Sequence, residues 1–383
     1  MKETEAATRR KLLAAGAAAF GTVVAGCLSG GEDTETERTT GTGTDGTTPA
    51  TETTEEDLPT VESQDDPMVY VPAHRNGMRM VGMQDAGPYT VAMSYTLLHD
   101  FWVLTGQDRS YVRIEDGQGM HLMASVWDSE HGQVVPLGSP PVEVRDTEGG
   151  DVITEKSMWP MLSQRMGPHF GDNVSFPDEG EYSVRLTLDP VSARQLGDYR
   201  GRFTESVTAE FDLLFRYDIM NNIREEFLDE SGQAGALEPM EMSGMPDGQL
   251  PEPMDLPGRH AGVATSADAK FAVQLLDATP AGIDSSDPYL AVSARTPYNR
   301  YPLPFMGLRA TVSDGTERKF RGPLKAGIHP GLGYHYGTPV PALSTNDELL
   351  LEVGSPPQIA RHRGYQTAFM DFDDMSLALG DTE

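Results

Sequence analysis

The chain has 383 residues, of which 29 are Lys or Arg and 59 are Asp or Glu, giving a formal net charge of -30. So acidic a surface repels phosphate, which excludes a nucleic-acid partner. The single cysteine, Cys27, excludes a disulfide within the chain and any cluster of thiolate ligands.

The first elements read as an address. Thr8-Arg9-Arg10-Lys11-Leu12-Leu13 carries the paired arginines of a twin-arginine export signal. The apolar run Leu12 to Ala25 is short of the roughly 20 residues a spanning helix needs. It ends in Val24-Ala25-Gly26-Cys27, small residues before a lone cysteine, the pattern for cleavage and lipid attachment at Cys27. Residues 1–27 are therefore expected to be a lipoprotein signal, and the mature protein to sit on the extracytoplasmic face of the cell membrane, lipid-anchored. Residues 28–64 are Thr, Glu, Gly and Asp with almost nothing apolar, which predicts a disordered tether.

The remaining length, about 320 residues, suits two domains. Strands are predicted at Tyr89–Leu97, Met120–Trp127, Val142–Arg145, and where Tyr182, Val184, Leu186 and Leu188 alternate with polar residues. Val207, Ala209, Phe211, Leu213 and Phe215 alternate again. Residues 219–258 then lose all period and gather Pro, Met and acids, which predicts an interdomain linker, with Met220–Leu228 hinting at a helix. Phe271–Leu275, Leu290–Ala294, Leu308–Val312 and Leu349–Val353 follow as strands. The fold class is all-β: two sandwich domains, 65–218 and 259–379, after the tether. Gly167-Pro168-His169-Phe170-Gly171 and Gly333-Tyr334-His335-Tyr336-Gly337 each precede a loop and a strand, which suggests an internal duplication. On that alignment His121–Asp128 answers to Phe271–Asp277.

No nucleophile elbow, metalloprotease helix motif, phosphate loop or dinucleotide fingerprint occurs, so the chain is not expected to be an enzyme. Methionine beside histidine stands out instead among the 19 methionines. His121 and Met123 share one face of a strand, and Met161 and His169 bracket a loop. Imidazole with thioether is a ligand set for copper, Cu(I) above all, rather than for calcium or magnesium. The competing reading makes the methionines core filler.

Pro160-Met161, Gly167-Pro168-His169-Phe170-Gly171-Asp172-Asn173 and Gly180-Glu181-Tyr182-Ser183-Val184 resemble the signature of the periplasmic ferrous-iron-transport-associated proteins. His121-Leu122-Met123 matches that family's first His-containing strand. The resemblance implies immunoglobulin-like sandwiches, homodimers, and a copper or iron ion held by His121, Met161 and His169. Met123 stands where the family has a carboxylate, and a later histidine-rich stretch is replaced from Val191 onward, which favours copper over iron. The acid-rich, lysine-poor composition also resembles that of halophilic archaea. In the second domain Phe271 stands for the first histidine, His335 and His362 are remnants, and little metal binding is expected. His99 is read as structural. Met240, Met242, Met245 and Met254 read either as a copper-collecting segment or as plain acidic linker. Two functions follow: a metal-binding surface lipoprotein that serves an iron or copper permease or reductase, or a non-catalytic envelope interaction protein with a vestigial site.

Overall fold

A computed structural model describes residues 66–114 and 119–380. The signal with Cys27 and the tether at 28–64 lie outside the described residues.

Strands form where apolar residues alternate. Tyr182, Val184, Leu186 and Leu188 give Gly180–Leu188 one buried face, and Ala209, Phe211, Leu213 and Phe215 do the same for Val207–Phe215. These two strands pair along their whole length and join Pro141–Asp146 and Val152–Ser157 in a four-stranded sheet. A second sheet runs in the order Arg79–Ala86, Tyr89–Thr96, Gly119–Asp128, Gly167–Ser175, Trp159–Ser163. Val91, Leu122, Val126 and Phe170 of that sheet share one apolar cluster with Val144, Val184, Leu186 and Phe211 of the first. Each such buried side chain contributes about 1.5–3 kcal/mol, and the pair of sheets closes as a sandwich.

The second half repeats this plan, without a counterpart among the described residues for the hairpin of Phe101–Thr105 and Asp108–Val112 that extends the first half's larger sheet. Arg259–Ser266, Ala269–Leu276, Tyr289–Arg295, Gly333–Pro339 and the end of Arg318–His329 form one sheet. The start of Arg318–His329 with Gly307–Ser313, Glu348–Ser355 and Met375–Ala378 forms the other. One long strand thus does the work that Val152–Ser157 and Trp159–Ser163 share in the first half, where Met158 marks the crossing. The register corrects one expectation. The counterpart of the His121 strand is Tyr289–Arg295, and Phe271 lies one strand further out.

Residues 219–258, expected as an interdomain linker, run hydrogen-bonded along both halves. Glu225–Phe227 pairs with His74–Asn76, the Leu237 N–H donates to Gln164 Oε1 at 2.8 Å, the Met240 N–H to Arg165 O at 2.8 Å and the Leu250 N–H to Arg300 O at 3.0 Å. The segment lacks a hydrophobic period because it runs as an extended strap, and its helical content is the turn Tyr217–Met220 at its start and the 3-10 turn Pro253–Asp255 near its end. The halves also exchange strands. Ala360–Arg361 adds in parallel beside Trp159–Ser163, with Ala360 opposite Met161, and Arg194–Gln195 adds in parallel beside Arg318–His329, with Arg194 opposite Gly327. Each half lends the other a short strand, Arg194–Gln195 beside Arg318–His329 and Ala360–Arg361 between Trp159–Ser163 and Phe101–Thr105, and the described residues fall in one compact unit.

Candidate metal centre

The centre forms where the borrowed strand of the second half meets the first sheet. Gly167, at φ 68°, opens the strand that carries His169. A Cβ there would stand 2.7 Å from the Tyr301 ring, so both backbone and packing require glycine. His121 lies on the neighbouring strand opposite Asn173, and Met161 lies opposite His169 on the other side. His99 follows the strand Tyr89–Thr96, and His362 follows the borrowed Ala360–Arg361. Arg361 fastens that strand: its fully buried guanidinium donates to the carbonyl oxygens of Ala368 and Phe369 and lies over the Phe369 ring. Burial draws its pKa down to about 9.

Proton positions follow from the partners. Carbonyl oxygens only accept, so His99 Nδ1–H donates to Leu97 O at 3.1 Å and His169 Nδ1–H donates to Gly167 O at 2.9 Å. Asn173 Nδ2 donates to the His99 carbonyl at 2.9 Å, which turns its Oδ1 toward His121 Nδ1 at 2.9 Å; that nitrogen is again the donor. All three inner Nε2 atoms therefore present lone pairs. His362 stands among them, its Nδ1 2.8 Å from His99 Nε2 and its Nε2 3.2 Å from His169 Nε2. A neutral imidazole brings one proton to these two contacts, so at one of them lone pair faces lone pair. His121 Nε2 is fully buried and has no hydrogen-bond partner at all. An orphaned buried group of this kind costs about 1–3 kcal/mol.

Protonation does not relieve the excess. Burial holds His99 and His169 down to about 4, and burial with the neighbouring imidazoles holds His121 and His362 well below the ordinary histidine range. A cation would relieve it, and the donors fit one. Ligand nitrogens of His99, His121 and His362 lie within 4.8 Å of one another, so small shifts bring them to metal–imidazole distances of ~2.0–2.1 Å. A soft ligand completes the set. A Cβ built on Gly171 would come within 2.7 Å of His121 Nε2 and 2.8 Å of Met161 Sδ. Glycine thus lets imidazole and thioether both approach the strand closely at this position.

Of the residues the sequence suggested, His121, Met161 and His169 converge here, and Met123 lines the cleft leading to them. The structure adds two more. His99, read as structural, joins the cluster, its ring centroid 3.9 Å from that of His121. His362 is no remnant of a second-half site, because the exchanged strand delivers it to the first. No local motif marks either residue; the repeat alone carries a signal for His362, through the register of the two borrowed strands.

The equivalent place in the second half is closed. His335 survives, with Nδ1 donating to Gly333 O at 3.0 Å as His169 does to Gly167 O. By register Tyr289 stands for His121, Ala291 for Met123, Gly327 for Met161, Leu332 for Met166 and Leu196 for His362. Leu196, Tyr289, Ala291 and Leu332 form a buried apolar cluster, and the Tyr289 ring lies over Gly337 where His121 Nε2 and Met161 Sδ lie over Gly171.

Residues 115–218 match the model of the family described as Fe2+ transport protein, and residues 254–378 match a domain of unknown function (DUF7350). No curated protein matches. Similar solved structures include a copper-bound variant of FetP from uropathogenic Escherichia coli strain F11, 17% identical over 36% of this chain and 97% of that one, with a TM-score of 0.28. A second is a copper-bound variant of a Campylobacter jejuni protein, 15% identical over 36% of this chain and 98% of that one, also with a TM-score of 0.28.

Proposed function

We propose, for a chain whose residues 115–218 carry an Fe2+ transport protein domain, that it captures a copper or iron ion outside the cytoplasmic membrane for uptake. His99, His121, His169, His362 and Met161 hold the ion. One observation carries this reading: buried lone pairs from four imidazoles converge with too few protons to satisfy them. A bound cation supplies the missing positive partner, and the residues do the rest. Asn173 and the carbonyls of Leu97 and Gly167 fix which nitrogen of each ring faces inward. The thioether of Met161 favours Cu(I) within this set.

The remainder of the reading is organisational. Cys27 carries a lipid that holds the chain at the membrane, residues 28–64 let the folded part reach its partner, and a metal permease or reductase receives the ion. Replacing Cys27 with Ser should release the protein from the membrane or leave an unprocessed precursor; mature, membrane-bound protein would contradict the anchor.

The test of the site is titration of the full chain, folded in high salt, with Cu(I) and with Fe(II) against a competing chelator. Wild type should bind one tight equivalent, His121→Ala should lose it, and His335→Ala should keep it. Weak multiple binding that His121→Ala leaves unchanged would overturn the metal reading in favour of an envelope interaction protein.

A further inference from the structure

The cleft that leads down to the histidines has a volume of about 150 Å3, and four methionines line it: Met78, Met123, Met166 and Met240. They come from four separate parts of the chain. Met78 follows the strand His74–Asn76, Met123 lies two residues beyond His121, Met166 precedes Gly167, and Met240 belongs to the strap, pinned by its N–H to Arg165 O at 2.8 Å. Met123 is buried, whereas Met78, Met166 and Met240 are half-buried and so face both cleft and solvent.

The charged lining differs from the rest of this acidic chain. Arg75, Arg165 and Arg363 border the cleft against one carboxylate, Asp100, which Arg363 already holds at 2.6 Å. Arg75 is paired with Glu226 at 2.8 Å. Nothing in that lining draws in a hydrated dication by charge, so a ligand that binds without charge has to do it. The repeat points the same way. Where the site is closed, the counterpart of Met166 is Leu332, buried in an apolar plug. Leucine serves where only packing is needed, and methionine stands where the site is open.

We infer that Met78, Met166 and Met240 form an entry path for Cu(I), which passes from thioether to thioether to Met123 and then to Met161 and the histidines. Each step is a ligand exchange: one Cu–S bond forms, an earlier ligand leaves, and no electron moves. A thioether carries no proton at neutral pH, so no base is needed, and its softness selects Cu(I) over Fe(II). The inference rests on the metal reading of the site and adds to it the form and route of the cargo.

The test compares wild type with the Met78→Leu, Met166→Leu, Met240→Leu triple variant, a near volume-conserving change. Under anaerobic conditions Cu(I) is offered as its bicinchoninate complex, and loss of the complex's colour gives the loading rate. The triple variant should load about tenfold more slowly, the equivalent of ~1.4 kcal/mol on the entry barrier, and reach the same final affinity. Its Fe(II) loading rate should equal that of wild type. Equal Cu(I) rates in the two proteins would overturn the path while leaving the site intact, and equal slowing of Cu(I) and Fe(II) would overturn it in favour of an altered cleft shape. Absence of tight Cu(I) uptake by wild type would overturn both the path and the site.

Discussion

The two halves of this molecule share a strand plan down to the hydrogen bond that orients one histidine, yet of the two equivalent places only the one around His169 carries a histidine cluster among the described residues. His169 and His335 both donate Nδ1–H to the carbonyl of the glycine two residues back, at 2.9 and 3.0 Å. Around His169 stand His121, His362 and Met161; around His335 stand Tyr289, Leu196 and Gly327. On its other ring nitrogen His335 meets the Tyr289 hydroxyl, 3.3 Å from Nε2. The same backbone thus yields an excess of lone pairs in one half and an oily plug in the other. The two equivalent places each receive a strand from the opposite half, and side-chain identity at a few register positions separates them.

The largest expected effect is at the glycine that both ligands approach closely. Gly171→Ala puts a methyl group within 2.8 Å of both His121 Nε2 and Met161 Sδ. Since the methyl displaces both ligands, the tight equivalent should disappear from a chelator titration while the circular dichroism spectrum stays β-rich. Undiminished binding by this variant would mean that the ion does not sit between those two ligands.

A gain is expected from the opposite change. Tyr289→His with Leu196→His restores two imidazoles around His335 and removes the ring over Gly337. The double variant should take up a second equivalent of Cu(I), weaker than the first because Gly327 supplies no thioether. If the stoichiometry stays at one in a protein that still folds, the second half differs from the first in more than these side chains.

The smallest effect is a difference in acid sensitivity. A buried histidine whose folded pKa is lowered binds its proton mainly in the unfolded state. Stability is therefore fully present above the ordinary value of 6.5 and is lost as pH falls through the window down to about 4. Each such group contributes a slope of at most about 1.4 kcal/mol per pH unit there. His362, lowered well below the ordinary range by burial and by His99, His169 and His121, adds to that slope. Metal-free His362→Leu should thus show a shallower fall in melting temperature between pH 6.5 and 5 than metal-free wild type. Parallel curves would contradict the neutral, buried state of that imidazole.

Much of the fold was legible in the sequence because strands declare themselves locally. The alternation at Tyr182–Leu188 and Val207–Phe215 is where the strands lie, and the twin Gly-x-His-x-Gly segments revealed the duplication. Half of the site was legible for the same reason, since His121, Met161 and His169 lie on neighbouring strands within about fifty residues. His362 was not. It meets His169 from 193 residues away, through a two-residue strand whose placement depends on the burial of Arg361 and on the exchange between halves. His99 was missed because its role depends on Asn173 and His362, which lie far along the chain. The strap at 219–258 looked like a linker because its order comes from backbone hydrogen bonds to both halves, which leave no periodic trace in composition.

The claim on which the rest depends is that the site is completed by a residue borrowed from the other half. His362→Leu tests it most directly, because it makes the first half carry what the second half already has at that position. A Cu(I) titration of this variant, under conditions where wild type binds one tight equivalent, should show that equivalent lost, with the melting temperature of the metal-free protein preserved. Retention of tight binding by His362→Leu would contradict the account and return the site to the first half alone.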